Sequence, residues 1–560
     1  MHGETSSSAT TYSPGWRKPA WWPAVSRWQA LAALISSVTV LPLLVIALSF
    51  ADVNADIWAH LSEFVLPRLL ANTALLLLGV GVGVLLLGVP LGWLVAVHEF
   101  PGRRVFNWAL MLPLAMPAYV MAFTQIGLLD FSGVLQSWLR EVWGSSAWFP
   151  PIRSRGGVVL VMSLALYPYV YLLARDAFAS QGRRALEAAQ SLGLSPWQGF
   201  WRVALPMARP WLIGGVSLAL MEALADFGTV SIFSFDAFTT AIYKAWFAMF
   251  SLSSASQLSS LLVLLVFALI WLEQRLRGGR AYHAGRLAQP QPRLPLHGWP
   301  AALACGFASL VLLLAFVLPF GQLLVWVARV WEADLDARYI DFVWHSLALA
   351  IMAAALVTLC ALALSYAQRR DPSPTARLWV RLATLGYAVP GTVLAVGLFI
   401  PVAALDNLLI AWLGAALPEG TTAIFKGTLA VMLLAYLARF AAVGFSSVDA
   451  AMQRITRSQE ETARSLGVAG FALLRRVHVP MLRGGLLTAV LMVCVDVMKE
   501  IPITLMTRPF GWDTLAVRIF EMTSEGEWER AALPAVALVL VGLLPVLLLA
   551  RASSHTGARR

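Results

Sequence analysis

Four acidic residues stand where an otherwise apolar chain should carry none. The stretch MEALADFGT supplies Glu222 and Asp226, and VDVMKEIPIT supplies Asp496 and Glu500. Each pair is spaced i, i+4, which puts both carboxyls on one face of a helix. An ionised acid in mid-bilayer costs ~2.5–3.5 kcal/mol on insertion scales, so four of them must face a bundle interior or a water path. Two chemistries fit. Partly protonated acids, or acids neutralised by the neighbouring Lys499, can hold helices together through interhelical hydrogen bonds. Acids left ionised form an electronegative lining that favours cationic cargo, and on that reading neutralising Asp226 and Glu500 together reduces passage while assembly survives. Arg439 is a further charge in an apolar run, paired with an acid or snorkelling from its helix end.

The elements that position these groups follow from composition. The 560 residues are 59% hydrophobic and 13% charged, with a mean hydropathy of +0.73, and a soluble chain would carry roughly twice that charged share. Apolar runs of ~20 residues recur without the alternation of a transmembrane barrel. The fold class is therefore all-α and polytopic, with about twelve spans. They are expected near 29–50, 74–98, 105–127, 157–175, 211–233 and 256–273, then near 299–328, 343–367, 382–405, 424–444, 485–507 and 531–550. Residues 1–28 read as a basic tail, with Trp21, Trp22 and Trp28 suited to an interfacial belt. The basic, Pro- and Gly-rich segment 274–296 reads as a linker between two six-helix halves, 29–273 and 297–551, and 552–560 as a second tail.

Net charge is +11. The positive-inside rule accounts for it better than nucleic acid does, since 27 of the 41 Lys and Arg fall in segments assigned to one side. That side is the cytoplasm, with both termini in it. Cys305, Cys360 and Cys494 sit inside apolar runs with no CxxC, and the eight histidines form no HExxH or similar cluster. No metal site is assigned.

Two polar segments interrupt the apolar pattern, EAAQSLGLSPWQGFWRVALP at 187–206 and ETARSLGVAGFALLRRVHVP at 461–480. They match without a gap, 274 positions apart: Glu187 with Glu461, Ala189 with Ala463, Gly193 with Gly467, Pro206 with Pro480. AMPAYVMA at 115–122 echoes AVPGTVLA at 388–395 at nearly the same offset. The chain is a duplication, and an even number of spans per half makes it a parallel repeat. Each loop reads as a short helix, a glycine-permitted turn and a second amphipathic helix, with Pro206 and Pro480 expected to stop the loop helices. Such a helix suits a groove on a cytoplasmic partner.

Glu187, Ala188, Ala189, Gly193, Leu205 and Pro206 resemble the EAA loop of ABC importer permeases. The second copy keeps Glu461, Ala463, Gly467 and Pro480 but has Thr462 and Val479 in place of Ala and Leu. The resemblance covers nearly the whole chain, in the fused form with two permease domains. It implies a type I permease of the bacterial inner membrane, working with two copies of a cytoplasmic ABC ATPase that bind MgATP and with a periplasmic substrate-binding protein. The chain itself has no Gly-Lys dipeptide and hence no phosphate loop, so it is expected to bind no cofactor and catalyse no hydrolysis. ALADFGTV at 223–230 and the stretch 499–535 are most similar to ferric iron permeases. Thiamine, polyamine or phosphonate cargo is the alternative within that architecture. An ion channel or proton-driven carrier is the alternative class, and the paired loops count against it.

Overall fold

The computed structural model describes residues 26–51, 55–277, 293–418 and 420–558. Most of the tail 1–28, most of the linker 274–296 and the last two residues of the tail 552–560 lie outside them. Among the described residues ten helices are long and apolar enough to cross a membrane, and an eleventh is the bent pair Gly470–Met481 and Arg483–Lys499. The long helices are α1 (Arg27–Ala47), α2 (Leu66–Val97), α3 (Ala118–Leu129), α4 (Arg155–Ser191), α5 (Leu205–Ala225) and α6 (Leu252–Arg277). The second half adds α7 (Trp299–Asp334), α8 (Ala337–Arg370), α9 (Gly391–Leu413), α10 (Leu429–Met452), α11 (Arg483–Lys499) and α12 (Ala532–Ala558). The expected linker is shorter than read from composition. Residues 274–277 complete α6, and Leu294–Pro295 pairs in parallel with His98–Glu99.

Small residues let the spans approach closely, as helix packing in lipid requires. Gly88 and Gly92 of α2 meet Val170 and Ala174 of α4, where an added Cβ would stand 2.8 Å from a side chain and 2.9 Å from backbone nitrogen. Gly444 of α10 abuts Val357 of α8 in the same way.

Prolines leave a regular mark. Four single π turns occur among the described residues, at Leu61–Val65, Phe200–Ala204, Leu313–Val317 and Leu474–His478, each ending two residues before a proline: Pro67, Pro206, Pro319, Pro480. A proline ring collides with the carbonyl four residues earlier and offers no N–H; widening that turn removes the conflict. Pro206 and Pro480 therefore do not stop the loop helices. The first copy runs unbroken from Pro196 to Ala225, and the second bends by 73° only after Met481.

Two expected spans in each half are broken, and the breaks shape the centre of the molecule. The run 105–127 stops at Met116, which is extended (ψ 120°) before Pro117, and 382–405 stops at Val389 (ψ 131°) before Pro390. A proline disfavours helical geometry in the residue before it, and here both residues take the extended alternative. The runs 211–233 and 485–507 break at Asp226 and Glu500, followed by the short helices Gly228–Ile232 and Pro502–Thr507. The second acid of each predicted pair is thus where its helix ends, not a further turn along its face.

The first helix of each half lies against the other half. Thr39 Oγ1 of α1 donates to the Ala383 carbonyl (3.2 Å), and Gln125 Nε2 of α3 donates to the Leu314 carbonyl in α7 (2.7 Å). At Gly397 of α9 an added Cβ would sit 2.5 Å from Ile46 Cδ1 and 2.7 Å from the Pro42 carbonyl oxygen of α1, whereas Gly306 has open space. Gly397→Val is expected to lower stability by about 1–3 kcal/mol through overpacking, with Gly306→Ala neutral, read as thermal unfolding midpoints in detergent.

Candidate functional site

The four acids of the sequence pattern line one cavity of 370 Å³ between the two halves. Lys499, Arg439, Tyr119, Tyr169 and Tyr387 line it with them. All four acids are half-buried.

Hydrogen bonds divide the acids into two kinds. Asp226 accepts from the backbone N–H of Val230 (3.2 Å) and from Thr229 Oγ1 (2.9 Å), closing the start of Gly228–Ile232. Glu500 does the same for Pro502–Thr507, accepting from the N–H of Ile503 (2.8 Å) and Thr504 (3.4 Å). These two cap the restarted helices at positions 274 apart, satisfying N–H groups that a helix start leaves bare. Glu222 accepts from Tyr387 Oη (3.2 Å), and Asp496 has no hydrogen bond or ion pair shorter than 4 Å among the described residues. Glu222 and Asp496 are the acids not spent on helix ends.

The two cations are spent on the broken backbone as well. Lys499 Nζ donates to the Leu114 carbonyl (3.1 Å) and makes no ion pair with Glu500. Arg439 neither snorkels nor pairs with an acid. It is buried mid-span, donates to the carbonyls of Tyr387 (2.9 Å) and Val389, and lies over the Tyr387 ring. Leu114 and Tyr387 are equivalent positions, just before Pro117 and Pro390. The carbonyls exposed at each break thus find one cation each. The Tyr119 hydroxyl is buried on the cavity wall without a partner. The sequence reading missed all three tyrosines, which have no spacing signal of their own.

At one end of the bundle lie the two duplicated loops, and their motif is a helix cap. In the first, Gly193 N–H donates to the Gln190 carbonyl (2.9 Å) and Leu194 N–H to that of Ala189 (3.0 Å); in the second, Gly467 pairs with Arg464 (3.0 Å) and Val468 with Ala463 (2.9 Å). This is the Schellman arrangement, with glycine left-handed at φ +80° and +79°. The Ala-x3-Gly spacing is that of the carbonyl and the glycine in this cap. Ala189 and Ala463 are buried, while Glu187 and Glu461 are exposed; the Ala188 side chain lies outside the described ones. Leu205 and Val479 are half-buried, and Pro206 and Pro480 are exposed. Leu192 and Trp197 project from the first loop at 81% and 71% exposure, and Leu466 and Phe471 from the equivalent positions of the second at 77% and 76%. Trp197 and Phe471 were legible as large apolar residues 274 apart in polar loops.

The loops are attached differently. Trp93 packs edge-on against Phe178 (5.0 Å) and Phe200 (4.7 Å) under the first. Under the second, Arg369 donates to Glu460 and to the carbonyls of Met452 (3.0 Å) and Ile455 (2.7 Å), and His478 Nε2 lies 3.1 Å from Glu460 Oε1. The buried acid of this loop is Glu460, one position before the Glu461 that the motif points to. Burial alone would raise its carboxyl, but the Arg369 hydrogen bond and charge, with His478, hold it below the usual carboxylate range.

This geometry defines a polytopic membrane permease with a duplicated core. Residues 88–277 match the family model for the binding-protein-dependent transport system inner membrane component. The whole chain is similar to the Fe(3+)-transport system permease protein FbpB 2 of Haemophilus influenzae, 28% identical over 95% of this chain and 98% of that one. Shorter likenesses are to the sulfate transport system permease proteins CysT (27% identical, 34% of this chain and 68% of that one) and CysW (35%, 27% and 50%) of Escherichia coli K12. Residues 88–277 thus carry the domain of that family, and over nearly its whole length the chain is built like a fused permease of the binding-protein-dependent ABC importer type.

Because nothing lies within 4 Å of an added Cβ at Gly193 or Gly467, alanine there meets backbone strain alone, about 1–2 kcal/mol. Gly193→Ala and Gly467→Ala are expected to loosen their loops, seen as faster hydrogen exchange at 189–194 and 463–468, with span protection unchanged. A carboxyl whose folded pKa is depressed stabilises above its unfolded value and loses that contribution as pH falls through the folded one. Loop 2 should therefore open on acidification below about pH 4.5, in exchange measured at matched intrinsic rates, and Glu460→Gln should remove that acid dependence.

Proposed function

We propose that this chain is the membrane passage of an importer that receives ferric iron from an extracytoplasmic binding protein and releases it at the loop end, in the cytoplasm. The observation that carries this is the cavity between the halves: four carboxylates and three phenols converge there, while both cations are held by backbone carbonyls. That leaves an oxygen-rich, electronegative lining, and hard trivalent iron prefers oxygen ligands. Among the described residues no three His, Cys, Asp or Glu side chains are grouped to hold a metal. The cargo is accordingly read as passing rather than resident, drawn by the field and released without a cage to dismantle.

In this reading each loop docks one cytoplasmic ATPase subunit through its apolar pair, Leu192 with Trp197 and Leu466 with Phe471. MgATP is bound and hydrolysed on those partners and this chain carries no cofactor. Halves 29–273 and 297–551 are the two permease domains, both termini are cytoplasmic, and the membrane is the bacterial inner one. Helix α4 supports a mechanical link: one 37-residue rod, ~55 Å long at 1.5 Å per residue, carries Tyr169 at the cavity and the Ala189–Gly193 cap at the loop. A push on the loop is delivered to the cavity wall along a single hydrogen-bonded element.

The sulfate relatives supply the second reading. Against it stands the lining: a dianion would meet four acids against two cations, each of which already donates to backbone carbonyls. Uptake of labelled ferric iron, sulfate, thiamine and putrescine, compared in cells with and without the gene, decides the cargo. Loss of iron uptake alone is expected, and loss of another uptake with iron unchanged overturns the choice. Asp226 and Glu500 are helix caps, so Glu222→Gln with Asp496→Asn is the cleaner test of the lining. That double variant is expected to cut uptake at least ten-fold while the ATPase still co-purifies. Undiminished uptake would remove the acids from the pathway, and failure of any ATPase to co-purify with the intact chain would favour a channel.

A further inference from the structure

A second cavity, of 1140 Å³, opens between α2, α5 and α6 beside the first loop. Its walls are apolar throughout the spans: Leu86 and Val89 of α2, Val216 and Leu220 of α5, Leu269 and Leu272 of α6. Toward the loop, Trp93, Phe200 and Trp201 continue the wall, and the titratable groups lie at that end, Ser217 of α5 being the polar side chain deeper in. There Arg209 is exposed and makes no hydrogen bond or ion pair among the described residues, and His98 Nδ1 is buried without a hydrogen-bond partner. The acid at the rim, Glu273, is neutralised by Arg277 at 2.8 Å.

Depth identifies the occupant. Inward of Arg209 the wall on α5 continues eleven residues to Leu220, ~16 Å at 1.5 Å each, about half of the ~30 Å hydrocarbon core, while outward it follows the loop segment to Pro196. A groove that runs one leaflet inward from an unpaired cation, lined there by apolar side chains and one serine, has the shape of an anionic phospholipid. Basic pockets between membrane helices hold anionic headgroups by this charge complementarity. We propose that this cavity is a binding site for one anionic phospholipid, its phosphate on Arg209 and His98 and its acyl chains along α5, where it supports the segment Pro196–Trp201 of the first loop. The second half does not repeat the cavity: Tyr366, Leu474 and Leu486, which correspond to Trp93, Phe200 and Leu212, close into a packed cluster with Trp28 and Leu482. The stoichiometry is one lipid per chain. The proposal needs only that the chain spans a bilayer, so it stands or falls apart from the import reading.

Native mass spectrometry of the full chain, released from nanodiscs of equal phosphatidylglycerol and phosphatidylethanolamine, tests it. One retained phosphatidylglycerol per chain is expected. Val216→Trp, which puts an indole into the groove, should reduce retention at least ten-fold, and Arg209→Gln should keep a lipid but abolish the headgroup preference. Should Val216→Trp fail to fold, phosphatidylglycerol with brominated acyl chains replaces it as probe, quenching wild-type fluorescence more than that of Trp201→Phe. No retained lipid, equal retention of both headgroups by the wild type, retention undiminished in folded Val216→Trp, equal quenching with and without Trp201, or a polypeptide in place of the lipid would overturn the proposal.

Discussion

A backbone N–H or C=O cannot be left bare inside a bilayer, and the centre of this protein is built from helices broken there. Four breaks, before Pro117 and Pro390 and at Asp226 and Glu500, expose the ends of helical segments beside one cavity. Each end is answered by a charged side chain: carboxylates cap the restarted helices, and Lys499 and Arg439 take the carbonyls ahead of the prolines. The intramembrane charges are first a solution to this constraint. The character of the cavity is what remains after it is met. With both cations occupied by carbonyls, the surplus is acidic, concentrated at Glu222 and Asp496.

Duplication repeats the frame and leaves the fillings free. The loop caps, their left-handed glycines, the π turn ahead of each loop proline and the exposed apolar pairs recur at fixed spacing. They recur because backbone geometry dictates them. What lies beneath the loops does not recur. An aromatic cluster supports the first, and Arg369, Glu460 and His478 hold the second. A buried ion network fixes geometry tightly but fails badly when one member is lost, whereas ring packing tolerates adjustment. Two loops alike in outline thus sit on foundations of different stiffness.

Much of this was legible in the sequence, for reasons that can be named. Apolar runs determined the all-α, polytopic class because bilayer thickness fixes span length. The 274-residue repeat located both loops and both acid pairs, and the Ala-x3-Gly spacing already encoded a helix cap, since one carbonyl and one glycine must be that far apart. The prolines were read the wrong way round. The spans drawn through Pro117 and Pro390 are broken there, while Pro206 and Pro480, expected to stop their helices, are carried through by π turns, and that choice depends on how neighbouring turns can widen. Tertiary structure alone decided which charges are spoken for. Lys499 is one residue from Glu500 in the chain but reaches the Leu114 carbonyl, and Arg439 meets the carbonyls of Tyr387 and Val389, some 50 residues away. Arg369 finds Glu460 across 91 residues. A charge in a low-dielectric interior goes to an unsatisfied group that the packing brings within reach, and no local pattern records that packing.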